Sequence, residues 1–140
     1  MKGVYVFAVI VVVGIVLGFG ISNKYSGKAV SSNNLPAFAR AAPMVEEAYK
    51  FAFSNPEALN GVKCYCGCMQ MVHEGGRIHK RGILDCFIKE DGSAERHGSQ
   101  CDMCIKDALQ VKQMTLSGID KETIKKTIDA KYANLGGMHG

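Results

Sequence analysis

Residues 62 to 71, VKCYCGCMQM, set three thiols at alternate positions, Cys64, Cys66 and Cys68, and follow them with the thioethers of Met69 and Met71. Thiolates and thioethers are soft donors that favour Cu(I) among biological metals, with Zn(II) and iron–sulfur clusters next. If extended, the three thiols leave one side of the chain at intervals of about 6.6 Å, a row suited to several metal ions. If helical, Cys64 and Cys68 share a face and Cys66 points away. Neighbouring thiols make poor disulfides in either conformation, because an i, i+2 bridge is strained. Each thiol therefore needs a partner elsewhere.

Those partners are few. All six cysteines fall between Cys64 and Cys104, the others being Cys86 and the C-x2-C pair Cys101 and Cys104. Met103, His73 and His97 add donors beside them. The leading expectation is a Cu(I) site in which the first cluster, Cys86 and the Cys101/Cys104 pair converge, with Met69, Met71, Met103, His73 and His97 completing the shell. Zinc is the alternative metal, held by four cysteines or by three and a histidine, although the spacing is not that of a standard finger and two cysteines would be left over. A disulfide framework also accommodates six cysteines in a small exported domain. A thiol–disulfide pair at Cys101 and Cys104 would gain acidity from a helix N-terminus, but the chain lacks the usual βαβ setting. Haem attachment needs C-x-x-C-H, and Ile105 follows Cys104; the usual iron–sulfur run is missing too. His79, between Ile78 and Lys80, is expected to be a solvated loop residue. No paired carboxylates or activated serine accompany the cluster, so binding is expected rather than catalysis.

The elements that would hold these residues are mostly helical. Pro43 suits a first helical turn, Glu46 and Glu47 suit its dipole, and Val45, Ala48, Tyr49, Ala52 and Phe53 keep helical spacing until Asn55-Pro56. Residues 83 to 88, ILDCFI, read as a short strand or a buried turn of helix. A further helix starts with Ser99 as N-cap and packs Cys104, Ala108 and Val111. Gly118 ends it, and Asp120 caps a last helix with Ile124, Ile128 and Tyr132 on one stripe. Met44 and Met114 are expected in the core. The fold expected is mainly α: an N-terminal transmembrane helix and a small helical head with irregular Cys-rich loops.

The uncharged run from Val4 to Ile21 is long enough to cross a bilayer core of about 30 Å, with a cleaved signal peptide as the competing reading. Residues 1–22 are thus expected to be a transmembrane signal-anchor, 23–42 a flexible spacer, 43–134 the Cys-rich metal-binding head and 135–140 a disordered tail. The net charge of +4 is spread along the chain, which argues against nucleic-acid binding. The partners expected are the membrane, through the N-terminal helix, and a membrane or extracytoplasmic metalloprotein.

The run YKFAFSNPEALNGVKCYCGC, followed by a histidine, DCFI, a second histidine, CDMC and GIDKETIKKTIDAKY, resembles the PCYCGC-motif (lipo)proteins of bacteria across residues 45 to 133. The resemblance implies a small membrane-tethered protein whose head is extracytoplasmic. It implies neither a reaction nor a particular metal. Lys63 stands where the family's motif places proline, and a hydrophobic span replaces the lipidated cysteine of many members.

Overall fold

The structure, a computed structural model, describes residues 30–67 and 79–133. Its longest elements are three helices: α1 (Pro43–Ser54), α4 (Asp102–Leu116) and α5 (Lys121–Tyr132). Two single-turn helices, α2 (Pro56–Leu59) and α3 (Leu84–Phe87), lie between them. Among the described residues there is no strand, only an isolated antiparallel bridge between Ile88 and Ala94. The expected span at 1–22 and the tail at 135–140 lie outside the described residues. Among the described residues no helix is long and apolar enough to cross a membrane.

α1 begins and ends where its residues demand. Pro43 occupies the first turn, where a missing N–H costs nothing, and Asn55 closes the helix with its N–H on the Phe51 carbonyl at 2.8 Å. Pro56 then opens α2, so the Asn-Pro pair restarts a helix as well as stopping one. The buried face of α1, with Val45, Ala48, Tyr49 and Ala52, packs mainly against α4. Tyr49 and Phe87 are fully buried and meet edge to face with centroids 5.0 Å apart, each burial contributing about 2–3 kcal/mol. The Tyr49 hydroxyl donates to the Glu95 carbonyl, so the polar end of this core ring is satisfied.

At the junction of the last two helices, Gly118 adopts φ +76°, and Asp120 accepts the Thr123 N–H at 2.9 Å as the N-cap of α5. Ile124 and Ile128 enter the core, with Tyr132 partly buried below them. Three expectations are corrected. Residues 30–42 do not behave as a free spacer: Ser32–Asn34 and Ala37–Arg40 form 3-10 turns, and Leu35 and Ala39 are buried in the head. Met44 faces outward, 51 % exposed, because the buried stripe of α1 runs through its neighbour Val45. Ser99 does not cap α4; its hydroxyl donates to the Arg96 carbonyl within the 3-10 turn His97–Gln100, and Cys101 is the N-cap.

Candidate metal centre

Four backbone segments meet at the cysteines, and each is fixed by a local device. The segment carrying Cys64 and Cys66 is joined to the start of α3 by two hydrogen bonds, Gly61 N–H to the Arg81 carbonyl at 2.9 Å and Ile83 N–H to the Val62 carbonyl at 2.8 Å. Gly82 allows this approach. Its φ is +71°, and a Cβ there would lie 2.0 Å from the Val62 carbonyl oxygen. The turn entering α3 is clamped by Arg81, whose Nε donates to Asp85 at 2.5 Å and whose Nη2 donates to the Ile88 carbonyl at 2.7 Å. Cys86 therefore sits on a short, rigid helical turn facing Val62 to Cys66.

From the bridged pair Ile88 and Ala94 the chain returns to the turn His97–Gln100. Gly98 packs there on the Cys86 backbone, where a Cβ would meet the Cys86 oxygen at 2.6 Å. This contact holds His97 over the cluster. The next residues, Cys101 and Cys104, are the N-cap and the third residue of α4, and the Cys101 sulfur accepts the Cys104 N–H at 3.4 Å.

The resulting arrangement is dense. Cys104 Sγ lies 3.5 Å from Cys64 Sγ, 3.7 Å from Cys66 Sγ and 3.5 Å from Cys86 Sγ. Cys64 and Cys66 are 3.1 Å apart and Cys64 and Cys86 3.8 Å apart, all well beyond an S–S bond of about 2.05 Å. The Nε2 of His97 is 3.7 Å from Cys66 Sγ. Two groups could each hold an ion, Cys66/His97/Cys101/Cys104 and Cys64/Cys86/Cys104, with donor atoms within 4.8 Å of one another inside each. Thiolates around a tetrahedral ion at a metal–sulfur length of about 2.3 Å stand about 3.8 Å apart, close to the spacing seen about Cys104.

The Cys101 thiol is held far below its ordinary value by hydrogen bonds from the Cys104 and Cys66 thiols, with smaller help from His97 and the Cys104 N–H. At a helix N-terminus a thiolate is the favoured form. Tyr65, between Cys64 and Cys66 in the chain, stacks on Tyr132 at 4.6 Å and donates to Asp129 at 2.7 Å. Burial first, then the Asp129 carboxylate, pushes its phenol up to about 12. Lys63 approaches the same carboxylate at 3.7 Å. The first cysteine segment is thereby tied to α5.

The structure thus brings together Cys64, Cys66, Cys86, Cys101, Cys104 and His97. Met103 is half-buried on the first turn of α4. Cys68, Met69, Met71 and His73 lie outside the described residues. His79 is a correction: expected in solvent, it is 3 % exposed, with Nδ1 3.6 Å from Cys86 Sγ and its ring edge-on to His97 at 5.4 Å. Nothing local in RIHKRG marks it, because the fold brings its neighbours Cys86 and His97 to it.

The chain is similar to one known family: the model described as "Protein of unknown function with PCYCGC motif" matches residues 21–138. No curated protein and no solved structure matches the chain.

Proposed function

The chain belongs to the PCYCGC-motif family, and on that premise we propose that it is a membrane-anchored, extracytoplasmic protein that binds a soft metal, Cu(I), for sequestration, delivery or electron transfer. The observation that carries this reading is the set of Cys64, Cys66, Cys86 and Cys104 sulfurs, with neighbours 3.1 to 3.8 Å apart although they come from three separate segments. Thiols packed this closely as thiolates repel one another strongly in a buried site unless a cation lies among them. The donor chemistry favours Cu(I), with Zn(II) next. Cys64, Cys66, Cys86, Cys101, Cys104 and His97 are the ligands; each thiol that binds releases its proton, and no electron is transferred on binding. A head on a membrane tether would meet a metalloprotein partner on the same surface.

The test is a preparation of the full chain under anaerobic, reducing conditions, with elemental analysis and thiol titration. Copper retained against a competing chelator, with thiols that become titratable once copper is removed, supports the reading. A single zinc favours a structural role, and three intact disulfides with no metal sink it.

One observation favours a second reading. Cys101 is a depressed-pKa thiol at the N-cap of α4, three residues before Cys104, as a dithiol–disulfide couple requires. Reversible loss of two titratable thiols in a defined redox buffer, without bound metal, would support that role.

A further inference from the structure

The two donor groups are not separate. Cys104 belongs to both: its sulfur is 3.5 Å from Cys64 and from Cys86 and 3.7 Å from Cys66, and Cys64 and Cys66, one from each group, are 3.1 Å apart. Among the described residues six donors, five thiols and His97, exceed the four that one tetrahedral ion takes and the two or three that Cu(I) takes. A single tetrahedral ion would leave at least one close thiol unused, and a single Cu(I) at least two, in a site where Cys64, Cys86 and Cys104 are all buried. Thiolate sulfur, with several lone pairs, can bind two soft ions at once, and Cys104 is placed for that role.

We propose that the centre is a two-ion thiolate cluster bridged by Cys104, with an inner ion held by Cys64, Cys86 and Cys104 and an outer ion held by Cys66, His97, Cys101 and Cys104. The inference rests on the soft-metal reading above and adds the number of ions, the bridge and the inequality of the two halves. The inner ligands are fully or almost fully buried, whereas Cys66, His97 and Cys101 are only half-buried, so the outer ion faces the route to solvent. His79 supports the inner half, its Nδ1 lying beside Cys86 Sγ at 3.6 Å. Binding two Cu(I) ions displaces thiol protons to buffer and leaves sulfur and copper in their starting oxidation states.

Anaerobic titration of the full-length chain with Cu(I), followed by X-ray absorption at the copper edge, tests this. Saturation at two ions per chain with a copper–copper scattering shell is the expected result. The double variant Cys101→Ser/His97→Gln, whose positions are half-buried, is expected to keep one ion and to lose the shell. Saturation at one ion, at more than two, or at two without the shell overturns the bridged pair while soft-metal binding stands. No copper retained overturns both readings. Because the titration and the scattering are measured on the unaltered chain, misfolding of the variant does not protect the proposal.

Discussion

Ile83 donates its N–H to the Val62 carbonyl at 2.8 Å and, with the Gly61 N–H on the Arg81 carbonyl, sets the Cys64–Cys66 segment against the turn that carries Cys86. Gly82 makes it possible by combining φ +71° with a Cβ position 2.0 Å from the Val62 oxygen. Gly82→Ala is therefore expected to cost more than the roughly 1–2 kcal/mol of a left-handed alanine, because the two segments must also separate. Gly92→Ala is the control: its φ is +82° but nothing lies within 4 Å, so it is expected to show the conformational cost alone. Urea unfolding of both variants checks this, and equal losses would refute the close-approach argument.

His79 is expected to matter for affinity rather than for stoichiometry. A group that hydrogen-bonds a ligating sulfur orients it and stabilises its charge, and loss of such a partner typically lowers metal affinity about 10–100-fold. On the proposed metal reading, His79, with Nδ1 3.6 Å from Cys86 Sγ, is in that position. His79→Phe should weaken Cu(I) binding within that range in a chelator competition while the number of ions bound at saturation is unchanged. Unchanged affinity would make His79 a packing residue.

The Cys101 thiol gives a pH dependence with a defined sign. Hydrogen bonds from Cys104 and Cys66, then His97, lower its pKa below the ordinary 9.0. A depressed folded pKa contributes stability that is complete above the unfolded value and is lost as pH falls toward the folded one. The metal-stripped, reduced head should therefore unfold at lower urea at pH 6 than at pH 8, and Cys101→Ser should flatten that difference. Cys101 should also stay reactive to iodoacetamide at pH 6, where an unperturbed thiol has largely stopped reacting.

Much of this architecture is legible in the sequence wherever a local rule decides. Pro43 and Asn55 bracket α1, Gly118 and Asp120 separate α4 from α5, and helical periodicity picks out Val45, Ala48, Tyr49, Ala108, Val111, Ile124 and Ile128. The cluster was legible as a set of donors, since softness and clustering need no structure. What escaped depends on tertiary contact. Ser99 is the better N-cap by propensity, but its hydroxyl closes the preceding 3-10 turn on the Arg96 carbonyl and leaves Cys101, with its sulfur, to cap α4. Polar composition hid Leu35 and Ala39, which are buried in the head, and Phe38, which meets Tyr49 edge to face. The burial of His79 goes with its contacts to Cys86 and His97, which no local pattern announces.

Asp107 and Tyr132 link the helix that carries Cys104 to the helix that backs Tyr65. Asp107 is fully buried, yet both of its carboxylate oxygens accept from the Tyr132 hydroxyl at 2.9 Å and one accepts from Lys131 at 2.6 Å. Tyr132 in turn stacks on Tyr65, between Cys64 and Cys66. Asp107→Ala removes charge-assisted hydrogen bonds and leaves a void, with a cost of about 3 kcal/mol, moderated because Lys131 can turn its charge to water. Tyr65→Phe removes only the bond to Asp129 and should cost about 1 kcal/mol. If the stack transmits this order to the cysteines, Asp107→Ala will also speed copper release from the intact ligand set, measured by stopped-flow with a chelator. If release keeps its rate while stability falls, the link between α4 and α5 supports the fold alone.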